Sequence, residues 1–399
     1  LNILVINSGS SSMKFQIFNM EENTALCRGI VERIGIDGVL TFQAAGKEKI
    51  KMDATIPDYE TAIDIALRQV TASGSGVLLC LTQIDAVGHR IVHGGSTLTK
   101  PELLNPDVEK KIEDNAALAP LHNPAGLLGI RAVREFFPDI PHVVSFDTTY
   151  YSGMKKEAYL YGLNYSCYSE TGYRKFGFHG ASHNYVNLRA AELCSSSRED
   201  FRAVSCHLGG GVSLAASIGC VGVDTSVGYG TVCGVPMGTR AGDVDPEIIL
   251  EMIMRDGMNP EDVKDLIYKK SGLLGISGFS SDIRDIISGS EEGNERAQLA
   301  LNIFTRSIRR YICALAASLD GRMDALIFTA GIGENSAIVR EMICGGLEIL
   351  GVKLDKNLNN TCRGEAVISS ADSRVKVLAV PTDEELMIAI ETKKLTDQL

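Results

Sequence analysis

No stretch of the sequence stays apolar for anything like the ~20 residues that a membrane-spanning helix needs. The run from Ile3 to Ile6 is bordered by a polar Asn-Ser-Gly turn and not by a cleavage site, which reads as a soluble, cytoplasmic protein with no business at a membrane. Also missing are any CxxC pair and any mixed His/Cys grouping at zinc-ligand spacing. The ten cysteines are scattered, mostly through apolar stretches; this excludes a structural zinc site or a disulfide framework and suits a reducing compartment. Low-complexity tracts, Pro-rich linkers and short-period repeats are absent, so a solenoid is excluded as well. Basic residues are in the minority. A formal charge of −11 works against binding nucleic acid, and any anionic substrate must be drawn in by a local arginine cluster.

What is present is enough apolar residue, 45% of 399, to bury two cores. One motif opens each half. Residues 3–18 run apolar strand, polar turn, second strand, and residues 203–218 repeat the order. Two such units point to a duplicated fold. Helix signals lie between them: Asn123 with Pro124 starts a helix to about Phe136, and Asp245-Pro246 and Asn259-Pro260 start two more. Leu301, Phe304, Ile308, Ile312, Leu315 and Leu319 recur at three and four residues, predicting one long helix from about Asn294 to Asp320. A short buried strand, Ala325 to Phe328, follows. Strands alternating with helices imply an α/β fold with helices on mixed sheets.

The loop from Asn7 to Ser12, followed by Lys14, offers backbone N–H groups, hydroxyls and an ammonium at one turn, which are the donors a polyphosphate requires. It is not a Walker A loop, since GxxxxGK[ST] is absent and the turn leads into a strand. A second loop, His207-Leu208-Gly209-Gly210-Gly211, is too glycine-rich for a mere hairpin and lets backbone approach a ligand. Paired loops gripping one polyphosphate account for both. A third segment, Phe328 to Ser336 with Gly331 and Gly333, sits where a nucleotide is often seated, although a helix cap at Ser336 explains it nearly as well.

Arg90 and Arg240 each stand among glycines and small residues, which suits a guanidinium aimed at an anion; the alternative is a structural ion pair with Asp85 or Asp243. His179 falls between an aromatic strand and a helix start, where an imidazole can meet developing negative charge. His93, His142 and His183 read as structural.

At this point the segments Asn7 to Ser12, Val87 to Gly95, His122 to Pro124, Phe146 to Thr148 and Phe176 to Gly180 match one family. So do Met237 to Asp245, Gly272 to Gly278, Phe328 to Ser336 and Pro381 to Leu386. In this order, over nearly the whole chain, they resemble the acetate kinases, of the actin, sugar-kinase and Hsp70 superfamily. The resemblance implies a duplicated actin-like (ribonuclease H-like) α/β fold, with two mixed-sheet domains around a central cleft. Residues 1–150 plus about 385–399 would form the N-terminal domain, with acyl-site and Mg²⁺ residues. Residues 151–384 would carry the nucleotide loops and a dimer interface.

The resemblance also implies roles. Lys14, the loop His207, Leu208, Gly209, Gly210, Gly211, the turn Asp282, Ile283, Arg284, and the segment Gly331, Ile332, Gly333, Glu334, Asn335 would hold ATP. Asn7 and Glu384 would position Mg²⁺ or Mn²⁺. Arg90 and Arg240 would hold the acyl carboxylate and the phosphoryl group in flight, with His179 on its equatorial oxygens and Asp147 in the catalytic centre. Val92, Leu121 and Phe178 would line the methyl pocket. Two departures stand out. Gly210 replaces the family's asparagine, as in butyrate kinases, and Thr231 replaces a pocket proline, which implies a roomier acyl site.

The activity so implied is transfer of the γ-phosphoryl group of ATP to acetate by a cytoplasmic homodimer. The acceptor carboxylate is already ionised at neutral pH, so no strong general base is needed and Asp147 reads as an orienter. Propionate, butyrate or pyrophosphate use are the nearest alternatives. A non-metabolic actin- or Hsp70-like ATPase would leave Arg90 and Arg240 without an anion to hold.

Overall fold

The run Ile3–Ile6 becomes the middle of a mixed sheet because its side chains are buried on both faces, as a strand sandwiched between helix layers requires. The computed structural model describes residues 1–120 and 122–399; Leu121, expected in the acyl pocket, lies outside them. The chain divides into two compact units, Leu1–Thr149 with Asp383–Leu399, and Tyr150–Thr382.

In the first unit, β1 (Asn2–Ser8), β2 (Ser12–Asn19), β3 (Thr24–Glu32), β4 (Gly38–Ala44) and β5 (Ile50–Ala54) form an antiparallel meander. β6 (Ala86–Ile91), β7 (Glu102–Leu103) and β8 (His142–Phe146) complete an eight-stranded sheet in the order β5-β4-β3-β2-β1-β6-β8-β7. β6 runs parallel to both β1 and β8. Leu4 and Ile6 join a core with Ile63 and Leu67 of the helix Tyr59–Thr71 and Val133 of the helix Asn123–Phe136. The opposite face is covered by the helix Glu384–Thr396. It comes so close to β6 that a Cβ at Gly88 would lie 2.5 Å from Thr392 Oγ1 and 2.9 Å from Ile388 Cγ2.

The second unit repeats the plan. β9 (Arg202–Leu208), β10 (Val212–Ile218) and β11 (Val221–Thr225) form a meander, and β12 (Ala325–Thr329), β13 (Ala366–Val367) and β14 (Lys376–Ala379) complete the order β11-β10-β9-β12-β14-β13. The five strands β3-β2-β1-β6-β8 and β11-β10-β9-β12-β14 therefore share one arrangement, three antiparallel and then two added in parallel, as a duplicated ribonuclease H-like fold requires.

The long helix of this unit runs Glu295–Ala316, capped by the Asn294 side chain on the amides of Arg296 and Ala297. It stops short of the expected Asp320. Tight turns close residues 317–319, and Asp320 and Gly321 both take positive φ, which a right-handed helix cannot continue through. Leu319 stays fully buried without being helical, so its apolar period reports burial and not helix.

Candidate active site

In the first unit, pairing register brings the candidates together. Asn7 of β1 stands opposite Lys14 of β2 on one side and Arg90 of β6 on the other, and Arg90 stands opposite Ser145 of β8. Residues in one cross-strand row share a face, so Lys14, Asn7, Arg90 and Ser145 form a polar row across four strands. Ser145 Oγ donates to Glu391 Oε2 at 2.6 Å, tying the row to the helix that Glu384 begins.

Arg90 is the centre of this row. Its Nε and Nη2 donate to Asp147 Oδ1 and Oδ2 at 2.8 and 2.7 Å, its Nη1 donates to Asn7 Oδ1 at 3.2 Å, and Glu384 Oε2 lies 3.9 Å away. Burial opposes the guanidinium charge, but Asp147 and Glu384 more than offset it. Asp85, named as an alternative partner, instead accepts from the Asn2 amide. Burial pushes the Glu384 carboxyl up to about 7; Arg90 pulls the other way and Asp147 adds to the rise. Among the described residues no three His, Cys, Asp or Glu side chains gather in a metal-binding arrangement. A cation beside Glu384 would take its other ligands from Asn7, phosphate and water.

Asn123 was legible as the start of a helix and as part of the matching segment His122 to Pro124, but not as a clamp. It clamps the segment after Arg90, its Oδ1 accepting from the His93 amide at 3.1 Å and its Nδ2 donating to the His93 carbonyl at 2.9 Å. Val92 thus hangs between two anchored neighbours and is half-buried.

In the second unit, Gly209, Gly210, Asp282, Ile283, Arg284, Gly331, Ile332 and Asn335 line one cavity of about 760 Å³. Sequence reasoning missed its apolar walls, Leu273, Ile287 and Phe304, along with Gly238 and Ser281; Ser336, the end of the Phe328 to Ser336 segment, also lines it. Phe304 and Leu273 carry only a core signal, so nothing local marks them as lining residues. His207, Leu208, Gly211, Gly333 and Glu334 lie outside the lining; Glu334 Oε1 accepts from the Thr382 amide at 3.1 Å. Asp282 caps the helix Ile283–Glu291 and holds Arg284, which pulls the Asp282 carboxyl down to about 2. Lys14 lines a separate, smaller cavity with Gln16 and Arg28 in the first unit.

Arg340 was missed as well. Only 1% exposed, it donates to the carbonyls of Gly333 and Glu334 at 2.8 and 2.7 Å and to Asn359 Oδ1 at 2.7 Å. It therefore pins the end of the Gly331–Asn335 segment, where a helix C-terminus favours a cation.

Arg240 differs from Arg90. Its Nη1 donates to the Thr231 carbonyl at 3.2 Å, and no carboxylate among the described residues lies within ion-pairing distance. Asp243 is engaged by the Gly234 amide and the Tyr311 hydroxyl. Burial holds the Arg240 pKa below its ordinary value, which leaves a half-buried cation short of an anion. Phe178 is buried, its carbonyl accepting from Tyr151 Oη at 3.0 Å.

His179 takes a left-handed conformation, φ 56° and ψ 35°, at the head of the helix Gly180–Leu193, a strained backbone of the kind that collects at functional sites. Its ring stacks on His207 at 4.1 Å between centroids. His207 Nδ1 meets Ser182 Oγ at 2.8 Å, and Thr382 Oγ1 donates to that hydroxyl at 2.8 Å. His183, read as structural, is fully buried between Ser205 and Ser213.

The chain matches the acetokinase family over residues 2–390. It is 48% identical over 394 residues to the acetate kinase of Bacillus subtilis, an alignment that covers 98% of this chain and 99% of that one. Among solved structures, Porphyromonas gingivalis acetate kinase superposes with a TM-score of 0.94 at 39% identity over 99% of both chains. A propionate kinase from Francisella tularensis gives 0.90 at 34% identity, covering 98% of this chain and 99% of that one.

Proposed function

The chain belongs to the acetokinase family, and from that premise we propose that it moves the γ-phosphoryl group of ATP onto acetate. A carboxylate oxygen forms the new P–O bond, the bond from the γ-phosphorus to its bridging oxygen breaks, and ADP leaves. The observation that carries this reading is the contrast between two arginines. Arg90 is held by a bidentate carboxylate, whereas Arg240 is half-buried without one among the described residues. A site that neutralises three equatorial phosphoryl oxygens needs both fixed and available positive charge.

In this reading Asp147 orients Arg90, and Arg90 and Arg240 take the acyl carboxylate and the phosphoryl group. His179 faces the equatorial oxygens, and Val92, Phe178 and Thr231 border the methyl group. Lys14 and the loop 207–211 serve the phosphates. The cavity walls Leu273, Ile287 and Phe304 suit an adenine ring, which takes apolar faces readily.

Asn7 Oδ1 and the Glu384 carboxylate suit Mg²⁺ or Mn²⁺: they are hard oxygen donors, and a carboxyl raised by burial gains from an adjacent cation. The bound ion would neutralise phosphate charge. Because the acceptor is ionised at neutral pH, these residues have only to position and shield.

We place the reaction in the cytoplasm, a reading supported by ten free cysteines. We also propose a homodimer. The helix Pro246–Met254 is apolar at six of its nine positions yet buries none of them, with Met254 80% exposed, an economy that a second copy would explain.

A hydroxylamine trap for acyl phosphate, run with ATP and acetate, propionate or butyrate, tests the activity. Acyl hydroxamate from acetate is expected, and none from any acid would overturn the reading. Thr231 favours a second substrate: if it stands where the resemblance implies a pocket proline, a small side chain in place of a ring leaves room for one more methylene, worth ~0.8 kcal/mol. Acetate should then be preferred over propionate by only about a few-fold in kcat/KM.

A further inference from the structure

We propose that a buried relay of Asn187, Ser205, His183 and Ser213 fixes the tautomer of His179, so that Nδ1 accepts and Nε2 carries the ring proton. The relay belongs to this chain's own interior, and its catalytic consequence rests on the phosphoryl-transfer reading above.

Pairing register sets it up. Ser213 stands opposite His207, Ala215 opposite Ser205, and Ser217 opposite Ala203, so three serines share one buried sheet face. Against that face the helix Gly180–Leu193 presents His183 and Asn187, four residues apart on one side. All five side chains, Ser205, Ser213, Ser217, His183 and Asn187, are 0% exposed. Small hydroxyls on a face where Val and Ile would pack indicate a polar network, and a buried network must satisfy each of its members.

The direction of each bond follows from one end. Asn187 Nδ2 donates to the His183 carbonyl at 2.8 Å, and Asn187 Oδ1 accepts from Ser217 Oγ at 2.5 Å, which fixes the amide's orientation. The second Nδ2 hydrogen goes to Ser205 Oγ at 3.2 Å. Besides Asn187, the Ser205 hydroxyl has one partner among the described residues, His183 Nδ1 at 2.7 Å. Ser205 therefore donates its proton to that nitrogen. Burial holds the His183 pKa well below its ordinary value, so the ring is neutral with its one proton on Nε2. His183 Nε2 donates to Ser213 Oγ at 2.8 Å, and Ser213 passes its own proton to His179 Nδ1 at 2.8 Å. The reverse direction strands the Ser205 proton, buried, with no acceptor among the described residues.

The outcome lies at the ligand loop. A Cβ on Gly211 would be 3.2 Å from both Cε1 and Nε2 of His179, so the protonated edge of the ring borders that loop. A neutral imidazole with Nε2–H is a donor for a phosphoryl oxygen; the other tautomer would set a lone pair against it. His183, Ser205 and Ser213 are positioning residues in this scheme.

The test uses the full-length chain labelled with ¹⁵N-histidine, with ring tautomers read by long-range ¹H–¹⁵N NMR above the pH at which His179 is neutral, and with steady-state kinetics alongside. Wild type should show His179 as the Nε2–H form. Ser213→Ala, which removes the donor, and Ser205→Ala, which frees His183 while leaving the Ser213 contact, should each add the Nδ1–H form and lower kcat about tenfold or more, with KM for ATP and acetate unchanged within about twofold. An Nδ1–H ring in wild type, an Nε2–H ring kept in both variants, or shifted tautomers at unchanged kcat would each overturn the proposal. Absence of acyl phosphate formation by wild type would overturn the functional reading instead, and the NMR result on the relay would stand apart from it.

Discussion

Asp147 meets Arg90 edge to edge, Oδ1 against Nε at 2.8 Å and Oδ2 against Nη2 at 2.7 Å, while only 3% of its surface is exposed. Such a pair is asymmetric under mutation. Asp147→Asn keeps the shape and one good acceptor, so the fold should survive while kcat falls about 10²-fold through a looser guanidinium. Arg90→Ala strands a buried carboxylate beside Glu384 and should cost about 3–5 kcal/mol of stability as well as activity. Thermal unfolding beside kinetics separates the two, and an Arg90→Ala protein as stable as wild type would show that the pair does not hold this region.

Arg240 should behave oppositely. Removing a guanidinium that among the described residues has no carboxylate partner, only the Thr231 carbonyl and the Met237 sulfur, leaves no buried charge behind. Arg240→Ala is expected to unfold within a few degrees of wild type and bind ATP normally, yet lose about 10³-fold in kcat, because its contact is made mainly as charge develops. Turnover at the wild-type rate would remove Arg240 from the reaction.

The glycine loop yields a sharper contrast between neighbours. A Cβ at Gly210 would meet nothing within 4 Å, and its backbone is not left-handed, whereas a Cβ at Gly211 would press on the His179 ring at 3.2 Å. Gly210→Asn, which supplies the side-chain amide that the family resemblance implies at this turn, should fold normally and keep or raise kcat. Gly211→Ala should lower kcat about tenfold by pushing His179 off its stack on His207. Equal effects from the two substitutions would mean that the loop, and not the ring, is the sensitive part.

The strand–turn–strand repeat was legible because Ile3–Ile6 and Ala203–Cys206 each precede a polar turn, and period and turn chemistry are local signals. The cross-strand row of Lys14, Asn7, Arg90 and Ser145 was not, since register between β1 and β6 depends on a crossover of many residues. Arginine partners failed for the same reason. Asp85 and Asp243 are near in sequence, while Asp147 is 57 residues from Arg90 and is joined to it by parallel strands. Arg340 and Asn123 escaped because an arginine on a helix and an asparagine at a cap have ordinary local explanations; only their buried carbonyl partners reveal that they hold site segments. His183 was read as structural on the default for a lone histidine. Its serine neighbours on the sheet face, Ser205 and Ser213, were visible but carried no sign that they faced it.

Glu384 offers a test that needs no turnover. Burial lifts its carboxyl from 4.5 to about 7 in the folded chain, so folding takes up a proton between those values. The contribution to stability is then fully present below 4.5 and is lost as the pH climbs through about 7. The loss runs at ~1.4 kcal/mol per pH unit inside that window. Glu384→Gln has no such proton. In nucleotide-free, metal-free buffer, wild type should lose stability relative to the variant, by roughly 1–3 kcal/mol, between about pH 5 and about pH 8. Adding Mg²⁺ with ADP should recover much of that loss in wild type at the alkaline end, because a cation beside the carboxylate favours its ionised form, and should do less for the variant, whose amide is a weaker ligand. Denaturant unfolding at the two pH values, with and without Mg²⁺ and ADP, measures both effects. Parallel pH profiles for wild type and Glu384→Gln would mean that the carboxyl ionises as an ordinary glutamate, and the case for a cation at this position would lose its electrostatic support.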